Sequence, residues 1–146
     1  MYERILVATD GSAHAERAAS QAVELAGAIG AEVYAIYVIE TRTAYDNAIV
    51  DPETVRENFR AEGTEALESV ERLAERAGVG VTTKIREGIP GAEIIDAVKE
   101  YRIDLVVMGA KGSSEFKTVI LGSATEAVLH ADVAPVLIVD GESSSE

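Results

Sequence analysis

The stretch Gly109–Ser123, GAKGSSEFKTVILGS, holds the residue types that bind anions: glycines at 109, 112 and 122, a lysine at 111 and a serine at 123. Glycine admits positive φ and lets main-chain N–H groups come close to a ligand. A helix beginning at Gly122-Ser123 would add unsatisfied N–H groups and the positive end of its dipole, both favourable to phosphate. The Ser123 hydroxyl and the Lys111 ammonium would extend the same chemistry. Asp10, followed by Gly11 at the end of the first apolar run, is a carboxylate able to accept hydrogen bonds from sugar hydroxyls. Glycines also end strands and begin helices for purely structural reasons, and a turn aspartate is commonly just solvated. Taken alone, these residues suit either use.

Other chemistries find less support. The loop lacks the Gly-Lys-Ser/Thr of a P-loop and the G-x-G-x-x-G of a dinucleotide site. The absence of cysteine excludes disulfides, thiolate catalysis and cysteine-ligated metal. His14 and His130 have no second ligand at metal spacing and read as surface or structural residues. Ser12, Ser113, Ser114 and Ser123 have no visible base, so no catalytic residue is assigned, and any hydrolysis would be slow.

These residues need elements to position them. Arg4–Ala8 reads as an apolar strand buried on both faces, Glu32–Ile39 and Asp104–Gly109 as the second and third apolar strands, and Pro135–Asp140 as the last strand. Val81–Ile85 alternates like a half-exposed strand. Alanines from Ala15 to Ala26 follow helical spacing, with Ser12 as cap and Gly27 or Gly30 as stop. Asp51-Pro52 opens a long helix ending at Gly78, in which Gly63 is a mild weakness. Pro90 opens another, and a last helix covers about Ser123 to Ala131. The polar stretch between the second strand and the long helix, with Arg42, Tyr45 and Asp46, is long enough for a binding loop. Alternating strands and helices predict an α/β fold with one parallel sheet covered on both faces. Ligands in such sheets bind beyond the carboxyl ends of the strands where strand order reverses, and the TDG and GAKG segments meet there if the first and fourth strands pair.

A single domain over residues 1–140, with a frayed polar tail at 141–146, accounts for the 146 residues. Asp and Glu number 26 against 13 Lys and Arg, a formal charge of −13 that opposes nucleic acid and anionic lipid. The acidic excess suits either solubility or a salty, halophilic cytoplasm. No apolar run approaches the about 18 residues of a membrane span, and the N-terminus lacks a secretory pattern. The expected location is cytoplasmic.

Gly109-x-x-Gly112, nine residues, then Gly122-Ser123 resembles the nucleotide motif of the universal stress protein family, as do ILVATDGS near the start and AVLHADVAPVLIV near the end. The resemblance covers nearly the whole chain. It implies a flavodoxin-like, Rossmann-like fold with five parallel strands in the order 3-2-1-4-5. It implies ATP as ligand (or ADP or AMP), with Mg²⁺ or Mn²⁺. Asp10 would face the ribose or the metal, and Val38 would meet adenine through its backbone. Met108 and Gly109 would line ribose and base, and Gly112, Gly122, Ser123 and Ala124 would hold phosphates. Relatives often carry a basic residue after the second glycine and another glycine two positions later; here Ser113, Ser114 and Glu115 follow.

In that strand order the last strand lies at an edge, yet Val136–Val139 is uniformly apolar, which predicts a homodimer joined there. The leading functional reading is thus a dimeric, adenine-nucleotide-binding regulatory module for stress. A nucleotide-free interaction module with a vestigial glycine loop is the alternative, favoured by Glu115. A flavin or redox carrier rests on fold alone.

Overall fold

The computed structural model describes residues 2–40, 52–113, 118–120 and 122–140. The elements follow in the order β1 (Arg4–Ala8), α1 (Ala13–Ile29), β2 (Glu32–Glu40), α2 (Pro52–Ala77), β3 (Val81–Gly88), α3 (Pro90–Glu100), β4 (Leu105–Ser113), β5 (Thr118–Ile120), α4 (Ser123–Ala131) and β6 (Val136–Asp140). Parallel pairing gives β3-β2-β1-β4-β6. This is the expected five-stranded parallel order, with β6 as its fifth strand. The expected loop after Gly109 is partly strand instead. β4 runs on to Ser113 and pairs antiparallel with β5, with Gly112 opposite Val119. The residues between β4 and β5 that include Glu115 lie outside the described residues, as do Asp51, Arg42, Tyr45 and Asp46.

The apolar strands are continuous because both faces are covered. In β1, Ile5 and Val7 face α1 and α2, while Leu6 faces α3 and α4, and all three are fully buried. Burial of such a side chain contributes about 1.5–3 kcal/mol. On the first face, Ala18, Ala22 and Ala26 of α1 and Leu67, Val70 and Ala74 of α2 cover Val33, Ala35 and Tyr37 of β2. On the second, Ile94, Ala97 and Val98 of α3 and Val128 of α4 cover Ile36, Val106 and Met108. Ser12 caps α1, accepting from the Ala15 N–H, and Gly30 ends it in the left-handed conformation at φ 76°. Among the described residues no helix is long and apolar enough to cross a membrane.

Gly63 is not merely a weak point in α2. A Cβ placed there would lie 2.6 Å from Cδ1 of the buried Tyr37 ring. The glycine is what lets the helix settle on β2. Gly63→Ala should therefore destabilise the protein by about 1–3 kcal/mol through overpacking, although alanine favours helix by up to about 1 kcal/mol. Urea unfolding of the two proteins measures the difference.

Candidate functional site

Because β1 pairs with both β2 and β4, the chain leaves β1 toward one side of the sheet and leaves β4 toward the other. The crevice between these exits is a cavity of about 340 Å³. Its floor is Thr9 and Asp10 beyond β1, Val38 and Glu40 of β2, and Met108 and Gly109 of β4. Gly122–Thr125 at the start of α4 form one wall, Pro90 and Ile94 of α3 another, and His14 and Ala15 of α1 a third.

The turn out of β1 is tightly specified. Gly11 takes φ 82°, and its N–H donates to the Thr9 hydroxyl at 3.1 Å. The Ser12 N–H donates to Asp10 Oδ1 at 2.9 Å. Partial burial pushes the Asp10 carboxyl up, but hydrogen bonds from Ser12 and the nearby His14 charge outweigh it, and the group sits below the usual carboxylate range. Asp10 is thereby held as an anion and acceptor at the mouth of the cavity.

The three helix starts around the cavity differ. That of α1 is closed by its own Ser12. Those of α3 and α4 have Ile89 and Gly122 at the cap, and neither receives a side-chain cap. The first-turn N–H groups of α4 therefore remain available to a ligand, together with the positive end of its dipole. Among the residues whose side chains are described, the ionisable groups lining the cavity are Asp10, Glu40 and His14. There is, among the described residues, no group of three or more carboxylates or histidines able to hold a metal alone.

The glycines divide by role. A Cβ at Gly109 would sit 2.6 Å from the carbonyl oxygen of His14, so what approaches it is the backbone of α1. A Cβ at Gly122 would meet nothing within 4 Å. Its backbone is extended, at φ −72° and ψ 164°, so the bareness serves neither packing nor strain. Asp10, Val38, Met108, Gly109, Gly122, Ser123 and Ala124 line the cavity, and Gly112 follows farther along β4, opposite Val119. Sequence reading missed Glu40, Pro90, Ile94 and His14. Pro90 and Ile94 were legible only as helix start and core, because the approach of α3 to β2 is a matter of topology. His14 was set aside for want of a metal-spaced partner, yet its place in the first turn after Asp10 is what brings it to the cavity.

Comparison with known proteins agrees with this architecture. Residues 1–140 match the universal stress protein family. Universal stress protein MJ0531 of Methanocaldococcus jannaschii is 37% identical over 140 residues, covering 95% of this chain and 82% of the relative. The crystal structure of a family protein from Burkholderia pseudomallei superposes with a TM-score of 0.78 at 29% identity, covering 94% of this chain and 96% of that one. A universal stress protein from Archaeoglobus fulgidus, solved in complex with dAMP, shares the fold with a TM-score of 0.69 at 22% identity, over 94% and 97% of the two chains. With the family's sequence pattern running from the first strand through the last, this chain belongs to the universal stress protein family.

Proposed function

We propose that the chain binds an adenine nucleotide in the cavity and works as a homodimeric regulatory module. The observation that carries this reading is the open, uncapped start of α4 at Gly122, facing a crevice where strand order reverses. In this reading Asp10 accepts from the ribose hydroxyls or holds the metal, and the main chain at Val38 meets adenine. Met108 and Gly109 lie against ribose and base, and Gly112, Gly122, Ser123 and Ala124 donate to phosphates. A single carboxylate suits Mg²⁺ or Mn²⁺, which takes its remaining oxygens from phosphate and water. The dAMP complex of the Archaeoglobus fulgidus protein supports an adenine ligand. ATP, ADP and AMP remain the candidates here, and their binding would shift the protein between conformations that partners distinguish.

Glu115, close after the second glycine in sequence, is the feature favouring a nucleotide-free module. The dimer reading rests on β6, which pairs with β4 on one side and leaves Leu137 40% exposed at the edge of the sheet.

Two experiments test these statements. In thermal unfolding with Mg²⁺, ATP at a hundredfold excess over its Kd should stabilise the wild type by about 2.7 kcal/mol. Gly122→Val, which places its side chain in open space, should cost about 1 kcal/mol or less without ligand and abolish the ATP shift. No shift with any adenylate would leave the nucleotide-free module. Separately, sedimentation should find twice the subunit mass for the wild type and a single subunit for Leu137→Lys. A wild type that sediments as one subunit at every concentration rejects the dimer.

A further inference from the structure

The wall of the cavity formed by Pro90 and Ile94 is the start of α3, and its end has few hydrogen bonds of its own. Ile89 at the cap makes no side-chain hydrogen bond, and Pro90 has no N–H to offer. The first helical bond, Glu93 N–H to the Ile89 carbonyl at 2.9 Å, ties the turn only to itself. Its apolar side is packed, with Ile94 buried in the core and Gly91 close against Ala127 of α4; its polar tie to the sheet is Arg86 on β3. Its Nε donates to Glu93 Oε1 at 2.9 Å, with both side chains largely buried. Its Nη1 donates to Glu100 Oε1 at 3.1 Å, in the last turn of the same helix.

The surrounding geometry is built for this contact. Gly88 takes φ 150°, and a Cβ there would lie 2.6 Å from Glu93 Oε2, so the glycine leaves the carboxylate its path to Arg86. In the β2–β3 ladder Arg86 is the register partner of Val38, and Gly88 of Glu40, the two β2 residues that line the cavity. The ion pair therefore spans from the strand beside the cavity floor to the helix that forms its wall. Charge-assisted bonds in a partly buried setting hold position better than exposed pairs.

We propose that Arg86 is a positioning residue for the ligand: through Glu93 it fixes the first turn of α3, and so sets the distance from Val38 to Pro90 and Ile94 at which a flat base fits. The inference rests on the nucleotide reading above and adds to it the group that shapes the base end of the site. Arg86 itself touches no ligand. Preorganising the wall lowers the ordering cost of binding.

Calorimetric titration of AMP, of ATP with Mg²⁺ and of inorganic tripolyphosphate, well below each protein's melting temperature, tests it. Arg86→Gln and Glu93→Gln should each weaken AMP and ATP about tenfold, and the double variant no further, since the Arg86–Glu93 contact is lost in every case and the Glu100 contact holds only the far turn. Tripolyphosphate, which has no base, should bind all of them as it binds the wild type. Glu100→Gln, which frees only the far turn, should leave AMP affinity within about twofold. If Arg86→Gln melts lower but binds AMP as the wild type does, the role is structural and the proposal falls. Should Arg86→Gln not fold, unchanged AMP affinity in Glu93→Gln overturns the proposal in its place. Equal losses of tripolyphosphate and ATP also overturn it. A wild type that binds no adenylate removes the nucleotide reading itself, and this inference with it.

Discussion

The approach of the first turn of α1 to β4 at Gly109 is the contact on which the site depends. Two backbones meet there with no room for a methyl group between them. The stripe of small residues along α1, Ala15, Ala18, Ala19, Ala22 and Ala26, lets the helix lie that low on the sheet. β1 is then drawn between β2 and β4, and its exit turn, carrying Asp10, falls beside the exit of β4. A larger residue at 109 would lift the start of α1 and move Asp10 and His14 away from α4. Close packing in one place thus decides the width of a cavity in another.

Charge is distributed with equal consequence. The chain has half as many cations as carboxylates, and several of those cations gather at the exit of β3. Glu87 on one face of that strand meets Arg56 and Arg60 of α2, while Arg86 on the other face meets Glu93 and Glu100 of α3. An edge strand of modest burial is braced from both sides where it leads into the cavity wall. The cavity instead faces the start of α4, with its main-chain N–H groups and the positive end of its dipole. Such donors are fixed by the fold and need no ordering.

Much of the fold was legible because hydrophobic period reports burial directly. Continuous runs in β1, β2 and β4 meant cover on both faces, and the alanine spacing of α1 meant a helix held close to a sheet. Asp10 and the Gly122-Ser123 segment could be brought to one crevice from strand ends and glycines, while Val38, Met108 and Ala124 came only with the family resemblance. The β4–β5 hairpin was not legible, since a segment holding glycines and serines reads as a loop until a partner strand supplies its hydrogen bonds. Gly63 read as a defect because its reason, the Tyr37 ring, lies on another element far away in the chain. Nothing local pairs Arg86 with Glu93, and only the turn at Gly88 brings them together.

Local chemistry and periodicity, both carried by residues near one another along the chain, determined the class of fold, the order of its elements, the cap of α1 and the start of α4 at Gly122-Ser123. Which glycines are bare for packing and which face open space, which helix starts remain uncapped toward the cavity, and which arginine braces its wall were decided only by tertiary structure. The reason is that these are relations between atoms distant along the chain, and they come within a few ångströms only when two faces of a sheet are packed at once.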